Sequence, residues 1–344
     1  MPGDPRHVND GSGAGAEAGG GAEGRCADHG GLVSCLCQSD GEASERGTPM
    51  RPTIGRVFMG LAVLVMLSSG VGRGVAVAGG KMYWTDLRIG KIQRVNLDGT
   101  ALQDLVTIGL RFPRGIAVDD SGGKMYWTDS GTLKIQRANL DGSQVEDLVT
   151  SGLPAPGGIT LDVAAGKMYW TDSATDKIQR ANLDGSQVED LVTKGLSAPW
   201  GIALDVTKGK MYWTDAGTLK IQRANLDGSQ VEDLVTRGLS HPGEIALDRA
   251  RGKMYWTDAD SSKIQRANLD GTGVEDLGIR GLRIPWAIAL DVAGGKMYWT
   301  DAGSSKIQRA NLDGTGVEDL VSRSSGGPVK DAGERYGIAL TTGQ

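Results

Sequence analysis

The sequence predicts an all-β fold in which six blades, each a four-stranded antiparallel sheet, form a ring around a central channel. Three observations predict it. The tetrapeptide Tyr-Trp-Thr-Asp occurs six times, beginning at Tyr83, Tyr126, Tyr169, Tyr212, Tyr255 and Tyr298, and successive copies are 43 residues apart. A period of this length holds about four short strands with their turns, the size of one β-propeller blade, and is too long for a leucine-rich repeat. The ends of the repeat region supply the third observation. It opens on the second strand of a repeat, Lys81 to Asp86, and finishes on a first strand, Gly337 to Leu340. Pairing the C-terminal strand with the N-terminal blade completes that blade and closes the ring.

The stretch Gly201 to Thr236 serves as a template for one blade. GIALD is a short, nearly continuous apolar strand at the centre, and after a turn at Lys208-Gly209 the KMYWTD segment makes the second strand. KIQRAN makes the third. Leu226-Asp227-Gly228 then carries the Asp-Gly signature of a tight hairpin, because Gly readily takes positive φ, and VEDLVT forms the outer strand. Tyr212 and Trp213 point to opposite faces of the blade, so each is expected to be buried between neighbours at about 1.5–3 kcal/mol apiece. The aspartate that ends each motif (Asp86, Asp129, Asp172, Asp215, Asp258, Asp301) invites a catalytic or calcium reading. Repetition in every blade is better explained by carboxylates that accept backbone N–H bonds and tie blade to blade.

Composition narrows the possible functions. The chain has 344 residues and a formal net charge of -5. Near-balanced charge gives no electrostatic reason to expect nucleic acid or an anionic membrane as partner. The repeats run without a break and leave no room for a second core, so residues 79–344 are expected to form one domain. Cys26, Cys35 and Cys37 all precede them, so the ring has neither a disulfide nor a thiol nucleophile. With His29 these cysteines form a loose zinc-like cluster, but the Gly, Ala, Ser and acidic residues around it read as unstructured, and no metal is expected.

Residues 50–78 have the layout of a secretory signal peptide. Arg51 and Arg56 precede an apolar run from Val57 to Leu67, and Ala76-Val77-Ala78 makes a cleavage site. The run is well short of the roughly 20 residues that span a bilayer, so no stable membrane span is expected. An uncleaved signal anchor is the alternative. Residues 1–49 then read as a disordered or untranslated extension. The expected location is secreted or periplasmic.

Taken together, YWTD at this period, P-x-G-I-A-L-D before it and K-I-x-R-A-N-L-D-G after it resemble the class B repeats of the low-density-lipoprotein receptor family. The resemblance covers nearly all of residues 79–344. It implies a six-bladed propeller that joins its ends and serves as a non-enzymatic protein-interaction module, often binding ligand on its top face. The flanking cysteine-rich modules and transmembrane helix of the family's animal receptors have no counterpart here, so lipoprotein uptake does not transfer.

Function is expected where the repeats differ, because positions repeated around a ring are explained by the ring. Outside the YWTD copies the aromatic residues of the repeat region are Phe112, Trp200, Trp286 and Tyr336, all in the loops that enter the innermost strands. The residue after the loop proline is Arg114, Gly157, Trp200, Gly243 and Trp286 in successive repeats, with Tyr336 in the equivalent last place. Trp, Tyr and Arg dominate binding hot spots. Glu244, where other repeats have Gly or Ala, adds a carboxylate to the same rim, and His241 lies nearby. The candidate ligand-binding set is therefore Phe112, Arg114, Trp200, Glu244, Trp286 and Tyr336. The alternative is that these rings only plug the channel mouth.

The last inter-repeat loop is longer than the others, with an insertion around residues 322–335 that gives slack for closure or forms a lid. No catalytic set is evident. The inner strands read IAV, ITL or IAL, His241 has no histidine partner, and neither a G-x-S-x-G elbow nor a phosphate loop occurs. The expected function is recognition of an extracellular protein or peptide by a monomer without cofactor. A glycan is the rival ligand, and a propeller hydrolase or lyase with an unrecognised channel site is the remaining alternative.

Overall fold

The computed structural model describes residues 79–322 and 334–341. The extension expected at 1–49, the signal segment at 50–78, the three cysteines and most of the insertion in the last loop lie outside the described residues.

The described residues form six antiparallel sheets of four strands. The first blade contains β1 (Lys81–Asp86), β2 (Lys91–Asn96) and β3 (Gln103–Val106), and the second contains β4 (Pro113–Asp119), β5 (Lys124–Asp129), β6 (Lys134–Asn139) and β7 (Glu146–Val149). The third runs through β8 (Pro156–Asp162), β9 (Lys167–Asp172), β10 (Lys177–Asn182) and β11 (Glu189–Val192). The fourth is β12 (Pro199–Asp205), β13 (Lys210–Asp215), β14 (Lys220–Asn225) and β15 (Glu232–Val235). The fifth is β16 (Pro242–Asp248), β17 (Lys253–Asp258), β18 (Lys263–Asn268) and β19 (Glu275–Asp276). The sixth is β20 (Pro285–Asp291), β21 (Lys296–Asp301), β22 (Lys306–Asn311) and β23 (Glu318–Val321), after which β24 (Arg335–Thr341) returns to the first blade. There β24 pairs antiparallel with β1, setting Leu340 opposite Met82 and Ile338 opposite Trp84. The ring therefore closes as the chain ends require.

Alternation of side chains along a strand explains the core. Tyr126 and Trp127 point to opposite faces of the second blade, so Trp127 packs with Tyr83 of the first blade and Tyr126 packs with Trp170 of the third. The closing interface has the same composition: Trp84 and Met82 of the first blade meet Tyr298 and Ile307 of the sixth. Every motif tryptophan is fully buried. In the second blade a polar chain leads from this core to the surface, where Trp127 Nε1 donates to Gln136, Gln136 Nε2 donates to Asp147, and Lys134 pairs with Asp147.

Blades are tied to one another by side chains other than the motif aspartate. Arg137 Nη1 donates to the Leu183 carbonyl in the next blade's hairpin turn at 3.1 Å, and the same bond recurs around the ring. Thr128 Oγ1 donates to the Gly157 carbonyl of the next blade at 2.6 Å. Asp129, by contrast, holds its own blade together. It accepts from the amides of Arg111 and Phe112 in the entering loop and from Gly131 and Thr132 in its own turn. The reach explains the difference: a short carboxylate at a strand end meets only the loops beside it, whereas the arginine extends across the gap between sheets.

The hairpin glycines are needed for two reasons. Gly228 has φ +83, and a Cβ there would collide with the Leu191 carbonyl of the neighbouring blade. The fifth blade is the irregular one. Gly278 stands where the other outer strands bury a valine, and β19 shortens to two residues.

Candidate functional site

Each inner strand begins with a bulge. The register of β12 against β13 shifts between Pro199 and Ile202, and the corresponding shift occurs in the other blades. A bulge leaves a residue out of the ladder and re-aims its side chain. Arg114, Trp200 and Trp286 occupy that irregular position, on the face where the loops from the preceding blades enter. We call this face the top.

Threonine of the YWTD motif fixes these residues. Thr171 Oγ1 donates to the Trp200 carbonyl at 2.6 Å and accepts from the Gly158 amide at 3.1 Å, so one hydroxyl of the third blade clamps the rims of two blades. Thr257 holds the Trp286 carbonyl at 2.6 Å in the same way, and Thr85 holds that of Arg114. Sequence reasoning assigned no role to this threonine. Its invariance across the repeats was the available signal.

The clamped side chains converge. The Arg114 guanidinium lies 4.7 Å from the Trp200 ring centroid, Trp200 meets Trp286 edge-on at 5.2 Å, and Trp286 meets Tyr336 at 4.8 Å. His241 joins from the side, 5.5 Å from Trp286. All four stacked residues keep part of their surface in solvent. Beneath them, with Glu244 and the glycines Gly115, Gly158 and Gly337, they enclose a space too small for a water molecule. The cluster thus closes the channel mouth and also presents a stacked outer surface.

Electrostatics within the cluster are set by burial. Arg114 Nε donates to Ser130 Oγ at 2.6 Å, and among the described residues no carboxylate forms an ion pair with the guanidinium. Burial lowers its pKa, with Tyr336 and Asp129 acting in the opposite direction. Burial raises the pKa of Tyr336. Trp286 Nε1 is buried with no hydrogen-bond partner among the described residues.

Two predicted site residues stand apart. Phe112 is 43% exposed and lies against the Arg111 guanidinium at 5.7 Å, with no ring contact to the cluster. Glu244 sits below the plug and lines the channel. Its Oε1 accepts from the Ile202 amide at 3.3 Å, and burial pushes the carboxyl up to about 8.

Among the described residues no cluster of His, Cys, Asp and Glu has the makings of a metal site, and no helix is long and apolar enough to cross a membrane. The arrangement offers stacking area, one desolvated cation and backbone clamps.

The family model for the low-density lipoprotein receptor repeat class B matches residues 80–119, 123–163, 166–206, 209–249 and 295–322, more than half of the chain. The chain belongs to that family. The longest internal stretch of this YWTD propeller outside the match, residues 250–294, contains the short β19 and Trp286, and β24 with Tyr336 also lies beyond it. A chain in the crystal structure of a nidogen/laminin complex is similar over its whole length and over 77% of this one, at 27% identity and a TM-score of 0.70. A search of curated proteins finds no match. YWTD propellers are typically extracellular domains and generally non-enzymatic recognition modules, and this propeller is compatible with protein binding.

Proposed function

We propose that this YWTD propeller is a secreted, monomeric recognition module that holds a protein or peptide on the outer surface of Arg114, Trp200, Trp286 and Tyr336, with Phe112 at the periphery. The observation that carries the reading is the continuous stack of these four residues, half-exposed and clamped by threonines, at a position where other blades have glycine. Large aromatic faces fixed before binding lose little entropy on contact, and a guanidinium already partly desolvated suits a ligand carboxylate or carbonyl. The similar chain in the nidogen/laminin structure is part of a complex between proteins, which supports a ligand of that class. Export rests on the signal-peptide layout of residues 50–78, with cleavage after Ala78.

The test is a peptide and glycan array probed with wild type and with a Trp200→Ala/Trp286→Ala double variant, alongside thermal melts. Peptide signal lost in the variant at an unchanged midpoint supports the reading. Peptide signal retained, signal confined to glycans, or a collapse in midpoint overturns it.

A further inference from the structure

The turns that join each inner strand to the second strand of its blade lie on the face opposite the aromatic plug, and two blades depart from the repeat there. Where the other turns have Asp120, Val163, Val206 and Val292, the fifth blade has Arg249; where they have Gly122, Ala165 and Gly294, the fourth has Lys208 and the fifth Arg251. Arg251 is spent within its own turn, on Asp248 at 2.8 Å. Lys208 and Arg249 are exposed, and neither side chain makes a hydrogen bond or ion pair among the described residues.

Both border one groove of about 570 Å³ between the fourth and fifth blades. That size is within the roughly 300–1,000 Å³ of small-molecule sites. Arg249 stands between this groove and the mouth of the channel and borders both. The floor is repeated framework: Tyr212 and Leu269 correspond to Tyr83 and Leu140 in the groove between the first two blades. The other cations of the lining are already matched. Arg223 donates to the Leu269 carbonyl and pairs with Glu232. Lys210 donates to Asn225 and stands in register with Asp205, which is buried and accepts from Thr207 and from the Lys208 amide. What remains at the rim is Lys208 and Arg249 with one exposed carboxylate, Asp270, which Thr272 holds below the usual carboxylate range.

Two unpaired cations on neighbouring turns favour an anion, because charge-assisted hydrogen bonds are the strong ones. Asp270 restricts which anion. Its carboxylate repels a polyanion laid along the groove but accepts from a hydroxyl group. The fitting ligand therefore has one compact anionic group on a hydroxylated body. A sulfate or phosphate monoester has three free oxygens to divide between a guanidinium fork and an ammonium from different blades, where a carboxylate has two. We propose that this groove binds a sugar monoester of sulfate or phosphate, its oxyanion on Lys208 and Arg249 and one of its hydroxyls donating to Asp270. The site is separate from the aromatic rim and on the opposite face, so both can be filled at once.

The test is calorimetric titration of the full chain with glucose 6-sulfate, glucose 6-phosphate, glucuronate, glucose and inorganic sulfate at neutral pH and low salt. At least one of the two esters is expected to bind about tenfold or more tighter than the other three probes, the difference that one hydrogen bond to a charged group makes. The better ester tells sulfate from phosphate as the source. A Lys208→Gln/Arg249→Gln double variant removes two exposed side chains without partners, so it is expected to keep the thermal midpoint and lose ester binding. Lys194→Gln/Arg237→Gln makes the same change of charge on exposed loops of the top face and is expected to bind as wild type does. Ester affinity no greater than that for glucuronate, glucose or inorganic sulfate, ester binding retained in the first double variant or lost equally in the second, or no saturable binding overturns the proposal.

Discussion

Arg309 Nη1 donates to the carbonyl of Leu97 at 3.0 Å across 212 positions of sequence, and the bond is the same as the one Arg137 makes to Leu183 between blades joined by a short loop. The seam between the sixth and first blades is therefore built like the other interfaces, with Trp84 and Tyr298 buried as their counterparts are. Replacing Arg309 with Ala is expected to cost about 1.5–3 kcal/mol, the usual worth of a hydrogen bond to a charged group, and to match the cost of Arg137→Ala. Chemical denaturation of the two variants measures both. A silent Arg309→Ala beside a destabilising Arg137→Ala would mean that the seam is open in solution.

Thr171→Val keeps the volume of the side chain and removes the hydroxyl that bridges the Trp200 carbonyl and the Gly158 amide. Leaving these buried groups unpaired is expected to cost about 1–3 kcal/mol. The same change frees the Trp200 ring, so its indole resonance should move in a proton–nitrogen spectrum. A shift in stability with an unmoved Trp200 signal would separate blade cohesion from rim positioning.

The ring was legible because each blade repeats one set of instructions, and the aromatic cluster because Trp200, Trp286 and Tyr336 break that set. Two features were hidden for a physical reason. Thr171 and Arg137 act across blades, on partners 29 and 46 positions ahead, and a pattern read within one repeat places such side chains on a strand without saying what lies opposite. Glu244 occupies a rim position by sequence, but its carboxyl lines the channel beneath the plug, because Trp200, Trp286 and Tyr336 already fill the mouth above it.

The inner strands approach closely at the top, and glycine makes this possible. A Cβ on Gly201 would come within 2.7 Å of Glu244 Cα and within 2.7 Å of the Gly243 carbonyl. Both neighbours are backbone and cannot turn aside. Gly201→Ala is therefore expected to force the fourth and fifth blades apart at a cost of about 1–3 kcal/mol, seen as a lower thermal midpoint. Gly152→Ala is unsuitable as a control because its φ is +72; Ser151→Ala on the exposed loop serves instead. An unchanged midpoint for Gly201→Ala would show that the inner strands have slack at the top.

Glu244 gives stability a distinctive pH dependence. Burial holds its carboxyl at about 8 in the folded ring, against an ordinary value of 4.5. Between these values the unfolded chain has lost a proton that the folded chain keeps, so stability falls as pH rises through this window. Below the window both states are protonated and the group contributes nothing; above it both are ionised and the penalty reaches a ceiling of about 5 kcal/mol. Turn aspartates such as Asp98, held low by Thr100, are ionised throughout the window and do not contribute to the slope. Glu244→Gln is neutral at every pH. Its stability advantage over wild type is expected to grow from about pH 5 to about pH 8 and then level off, as measured by chemical denaturation across that range. A constant difference between the two proteins would mean that the carboxyl titrates as an ordinary solvated glutamate and that the channel admits water to it.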